Sequence, residues 1–102
     1  MPYFVYILYS SKSDKYYVGS TNDWKSRLHS HNTSKRNTYT SKHRPWTIAA
    51  VFKAGDTRSK AEQIEKFIKK QKSRKLIERL IDVEFCPTGY LSELVRVSYL
   101  RD

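Results

Sequence analysis

The chain opens on YFVYILY, residues 3–9, where apolar and aromatic side chains fill both alternating positions. A run that is apolar on both faces belongs in the middle of a sheet, covered from both sides. The polar stretch SSKSDK follows, then KYYVG, a second aromatic and β-branched run; the polar connection suits a hairpin with a longer loop. Next comes STNDWKSRLHSHN, in which Thr21, Asn22 and Asp23 are all suitable N-caps. Trp24, Arg27, Leu28 and His31 fall at i, i+3, i+4 and i+7, one face of a helix. Two of those four are polar. A helix that turns an arginine and a histidine inward breaks the usual pattern, and such breaks are expected at functional sites.

Residues 32–45 are polar and basic and read as a loop closed by Pro45. WTIAAVFK, residues 46–53, predicts a third strand, and AGDTRS a turn into a helix. Ser59 and Glu62 have the spacing of a capping box. Ala61, Ile64, Phe67 and Ile68 form an apolar stripe with Glu65 at its margin, and the outer face is rich in lysine. Ser73 is placed to cap a further helix with Leu76, Ile77, Leu80 and Ile81 inward. CPTG at 86–89 reads as a turn, and the remainder as a short helix followed by extended chain. The order β-β-α-β-α-α predicts an α+β fold: a small three-stranded, mainly antiparallel sheet with helices packed on its faces.

Composition narrows the function. The 102 residues include 20 Lys and Arg against 10 Asp and Glu, a net charge of +10. So basic a domain suits a polyanion, with nucleic acid first and an anionic membrane surface second; a merely solvated charge is the plain alternative. The basic stretches lack a strongly amphipathic aromatic helix and no run reaches transmembrane length, so no membrane partner is expected. One cysteine, Cys86, excludes an internal disulfide and a zinc ribbon, and is expected to be buried and inert. Without a secretory pattern at the N-terminus, a reducing, cytoplasmic setting is the expectation. Two stretches could track a phosphate backbone. One is Lys35, Arg36, Lys42 and Arg44, with Tyr39 and Trp46 nearby for stacking. The other runs from Lys66 to Lys75 and includes Lys69 and Lys72.

Five tyrosines lie between residues 3 and 17, more than strand packing requires. Two of them fall in motifs. Phe4-Val5-Tyr6 in the first strand, Tyr17-Val18-Gly19 in the second, the helix from Thr21 to Leu28 with Arg27 and on to His31-Asn32, and Ala61 to Glu65 followed by Lys69 occur in that order. In this the chain resembles the GIY-YIG nucleases, the short stand-alone bacterial members related to the N-terminal domain of the excision-repair nuclease. Phe4 stands where the family name has its first glycine, and DVEFCPTGYLSEL offers no match to the polar residue that many members carry late in the domain.

The resemblance implies a nuclease domain over 1–85, with 86–102 an extension packed on the same domain. It implies an endonuclease that hydrolyses phosphodiester bonds in DNA, structure-specific and linked to repair or recombination. Glu65 would anchor Mg2+ or Mn2+, since magnesium needs few protein carboxylates. Arg27 would hold the scissile phosphate in its planar fork. Tyr6 and Tyr17 would bring hydroxyls to the attacking water, Tyr17 as its base, and His31 would contact phosphate or shuttle a proton. The implied partner is nucleic acid, DNA before RNA, bound by a monomer or weak dimer, with substrate choice made by this domain or by a partner protein. The rival expectation is a nucleic-acid-binding module of the same fold without catalysis.

Overall fold

In the computed structural model residues 2–35 and 40–97 are described. Arg36 and Tyr39 lie outside the described residues. Strands β1 (Phe4–Ser10) and β2 (Lys15–Thr21) form the hairpin; α1 (Trp24–Thr33) follows, then a 3-10 turn at Thr40–His43 and strand β3 (Thr47–Lys53). Helices α2 (Arg58–Lys70) and α3 (Arg74–Ile81) come next, and strand β4 (Val95–Arg96) ends the described chain. The sheet has four strands in the order β2-β1-β3-β4, every pair antiparallel. The expected three-stranded sheet thus gains a fourth strand. Two residues are too few for any alternating pattern to show, and β4 exists because it pairs with Phe52 and Lys53 at the open edge of β3.

β1 is central, as its two-sided apolar pattern requires, and Val5, Tyr6, Ile7 and Leu8 are fully buried. On one face Val5, Ile7, Val18, Ala50 and Phe52 pack with Ala61, Ile64 and Ile68 of α2, Leu80 of α3, and Leu91 and Leu94. On the other face Tyr6, Leu8, Trp46 and Val51 form a second cluster, flanked by Trp24 and Leu28 of α1. A register shift between β1 and β3 leaves Ala49 as an extra residue opposite Ile7 and Leu8. This bulge turns two successive residues, Ala49 and Ala50, to the α2 side, so that Val51 rather than Ala50 joins Trp46 and Ile48 behind Tyr6.

The caps agree with the sequence at two helices and differ at one. Asp23 caps α1 by accepting from Ser26 N at 3.1 Å, and Ser73 caps α3 by accepting from Leu76 N at 3.1 Å. At α2 the cap is Thr57, accepting from Lys60 N, and not Ser59. The helix begins two residues early because Thr57 takes up extended backbone geometry, which frees Glu62 from a capping-box role. Cys86 is exposed rather than buried, carried on the polar loop after α3. Among the described residues no helix is long and apolar enough to cross a membrane.

Candidate active site

The site begins with Gly19. In the hairpin register Gly19 lies directly opposite Tyr6. A Cβ there would run into the Tyr6 ring and hydroxyl, so only glycine leaves room for that side chain to lie across β2. Tyr6 is thereby buried along its length, and its hydroxyl lies 3.0 Å from His31 Nε2 on α1. Burial pushes the Tyr6 phenol up to about 12, with the Arg27 guanidinium, hydrogen-bonded to the same oxygen, pulling against the rise. His31 is moved the opposite way, down to about 4, by burial and then by the positive charges of Arg27 and Arg44. Both groups are therefore neutral at neutral pH. The Tyr6 hydroxyl and His31 Nε2 share a hydrogen bond between two neutral groups, and the tyrosine oxygen also meets Arg27.

Tyr17 faces the same side as Gly19, two residues along β2. Its ring meets His31 edge-on at 4.8 Å, and Lys69 Nζ lies 5.4 Å from its centre. Glu65 arrives from the other helix layer. α2 packs against the edge strand β2, and Glu65 reaches past it so that Oε1 accepts from Ser20 Oγ at 2.5 Å and Oε2 pairs with Lys69 Nζ at 2.6 Å. Together Tyr6, Tyr17, Gly19, Ser20, Arg27 and Glu65 line one polar cavity of about 470 Å3. Arg27 is mostly exposed there, with its charge reinforced by the Tyr6 oxygen. His31 sits behind the cavity, in contact with it through Tyr6 and Tyr17.

Four further residues line this cavity: Thr21 and Asn22, read above as caps, and Arg58 and Glu62. Arg58, Glu62, Glu65 and Lys69 recur every three or four residues, one polar face of α2. That spacing was the available signal, and the capping-box reading of Glu62 concealed it.

The donor set suits a hard divalent cation held by few protein oxygens. Glu65 and Glu62 share the cavity, whereas no group of three or more His, Cys, Asp or Glu gathers anywhere among the described residues. A closed zinc or calcium cage is thus not built here, while an open magnesium-type site, which retains its waters, fits these carboxylates.

The basic residues divide. Lys69 and Lys72 line a second cavity on the far side of Tyr17. Lys35 and Lys42 are exposed, away from both cavities. Arg44 is used differently from the expectation of a phosphate contact. Its Nε donates to His31 O at 2.7 Å and its Nη2 to Ser34 O at 2.5 Å, closing the C-terminal end of α1. Tyr9 and Tyr16 pack ring against ring at 5.0 Å, tilted by 42°, and serve the hairpin.

Residues 2–78 match the family model described as the GIY-YIG catalytic domain. The chain belongs to the GIY-YIG family. Among solved structures, it is similar to the solution NMR structure of a UPF0213 protein from Bacillus halodurans, with 29% identity and a TM-score of 0.48, covering 85% of this chain and 89% of that one. No curated protein matches. The GIY-YIG family is one of nucleases, and the match spans every element that builds the cavity, from β1 to α2.

Proposed function

We propose that this protein is a metal-dependent endonuclease that hydrolyses phosphodiester bonds in DNA, selecting by the shape of the substrate, as suits repair or recombination. The observation that carries this reading is the single polar cavity lined by Tyr6, Tyr17, Arg27 and Glu65, four residues drawn from four separate elements. A scissile phosphate placed there meets the Arg27 fork, which offsets charge as it develops on the phosphoryl oxygens. Glu65, with Glu62 beside it, would hold Mg2+ or Mn2+, which when bound supplies further positive charge against those oxygens.

Two tyrosines divide the remaining work. Tyr6 holds its proton tightly, pushed up to about 12, and so orients water and phosphate rather than taking a proton. Tyr17 is the proposed base: it lines the cavity, with the Lys69 ammonium 5.4 Å from its ring centre. His31, neutral because it is lowered to about 4, fixes the Tyr6 hydroxyl through the hydrogen bond they share. Cytoplasmic location, and action as a monomer or weak dimer with or without a protein partner, complete the reading.

A specific observation favours a second reading, a binding module without catalysis. Both oxygens of Glu65 already have partners in Ser20 and Lys69, so a cation bound there competes with the Lys69 ammonium for that carboxylate. The deciding experiment incubates the protein with nicked, flapped, branched and plain duplex DNA in Mg2+ or Mn2+, beside Glu65→Ala and a chelator control. Cleavage that disappears in both controls is expected. Salt-sensitive binding with no cleavage of any substrate would favour the binding module.

A further inference from the structure

Beside the candidate active site, and separated from it by Tyr17, lies a second cavity of about 530 Å3. It is bounded by the β1–β2 hairpin and by the corner where α2 gives way to α3, and it is lined by Lys15, Lys69, Lys72 and Arg74 against the single carboxylate of Asp14. That carboxylate is already engaged: Arg74 Nη2 reaches it at 2.6 Å and the Tyr9 hydroxyl donates to it at 2.8 Å. Arg74 also bonds Asp14 O and Glu78, so its guanidinium ties the hairpin tip to α3 and forms a fixed wall. Lys69 pairs with Glu65 on the boundary between the two cavities. Among the described residues Lys15 and Lys72 have no carboxylate partner, and both face this space.

The backbone at Lys72 adds a second observation. Lys72 has φ of +49°, the left-handed geometry that follows a helix C-terminus and that glycine or asparagine adopts at lower cost. The chain carries a lysine in this position, where it lines the cavity at the α2–α3 corner. The two lysines without a carboxylate partner thus border the cavity from different elements, one on β2 and one after α2.

We infer that this second cavity binds a phosphate of the same nucleic-acid strand that enters the active site, a phosphate flanking the scissile one, held by Lys15 and Lys72. The inference rests on the reading of the first cavity as the place of the scissile phosphate. A strand that crosses the Tyr17 edge leaves one phosphate against Arg27 and Glu65 and delivers a neighbour to the two lysines. Lysine suits this task, since it offers a point charge to a phosphate that is positioned and not cleaved. The Asp14–Arg74 wall means that the cavity is shaped before the strand arrives, which lowers the ordering cost of binding.

The test measures binding in a background that does not cleave. Glu65→Gln protein, alone and combined with Lys15→Ala and Lys72→Gly, is titrated by fluorescence anisotropy with a labelled oligonucleotide substrate. Single neutral methylphosphonate linkages are then moved along the strand. Lys72→Gly relieves the left-handed backbone, so loss of binding cannot be laid to misfolding. Each lysine removed should weaken binding about fivefold or more and lower the log–log salt slope by about 1. One flanking methylphosphonate should weaken the parent by a similar factor and have no further effect on the double-lysine variant.

Equal losses wherever the neutral linkage is placed, or none at all, would overturn the inference. So would a short polyphosphate that binds as tightly as the oligonucleotide, since the occupant would then not be a strand. If the Glu65 protein cleaves DNA and no linkage stands out, the inference alone fails. If one linkage stands out and the Glu65 protein cleaves nothing, the nuclease reading alone fails.

Discussion

A methyl group at position 19 is all that separates this site from a broken one. Gly19 has ordinary backbone geometry, and what it supplies is space for Tyr6. We predict that Gly19→Ala destabilises the fold by about 1–3 kcal/mol, an overpacking cost read as a lower urea midpoint with an unchanged slope. His31 gives a second prediction at this scale. Its folded value of about 4 lies below the ordinary 6.5, so between those values the unfolded chain binds more protons than the folded one. Its contribution is complete above pH 6.5 and is lost as pH falls toward 4, with a slope of at most about 1.4 kcal/mol per pH unit. Urea unfolding across that window should show a flatter pH dependence for His31→Gln than for the parent; identical profiles would contradict the burial argument. Arg27→Ala should lower cleavage by about 10²–10³-fold, with thermal stability little changed because the side chain is mostly exposed.

At the scale of elements, α1 and α2 are attached in different ways. α2 docks through an apolar stripe of Ala61, Ile64 and Ile68, the periodicity the sequence advertises. α1 has only His31 buried among its ten residues. Beside the half-buried Trp24 and Leu28, polar bonds hold it: Asn32 Nδ2 donates to Trp46 O at 2.9 Å while its Oδ1 accepts from Trp46 N at 2.6 Å, and Arg44 ties down His31 O and Ser34 O. Polar side chains at and beyond the end of α1 thus serve as attachment points. Asn32→Ala should remove two hydrogen bonds, cost about 1–3 kcal/mol, and strip hydrogen-exchange protection from α1 before the sheet is affected. The outline of these helices was legible because a repeat of three to four residues is local. The clamps were not, because Asn32 and Arg44 find partners only once the loop between them has closed.

At the scale of the whole molecule the C-terminal segment completes the fold. Leu91 and Leu94 enter the main core, and Arg96 extends along the end of α3. Its Nη2 donates to Leu80 O at 2.6 Å and Asp82 O at 2.9 Å, with the guanidinium 4.9 Å from the Phe52 ring. Leu94→Ala should cost about 2–4 kcal/mol, measured by chemical denaturation, in line with a buried leucine. An effect under about 0.5 kcal/mol would mean that the segment only rests on the surface. The sequence showed this tail only as a turn, a short helix and extended chain. Its strand is two residues long, and the edge it joins is formed by residues more than forty positions earlier.

The sequence by itself determined the order of the first three strands and the three helices, the buried centre at β1 and the excess positive charge, since all of these are written in local periodicity or composition; the candidate site residues came from its motifs and the family they resemble. Tertiary structure decided which of those residues meet. The hairpin register set Tyr6 against Gly19, the bulge at Ala49 chose which half of β3 backs the site, and the packing of α2 on the edge strand carried Glu65 round to Ser20. It also withdrew Arg44 from the surface to cap α1 and opened the second cavity between the hairpin and α3. Each of these joins residues between 10 and 60 positions apart. Contacts at that range follow from register and from the fit of layers, and a pattern that repeats every two to four residues cannot express them.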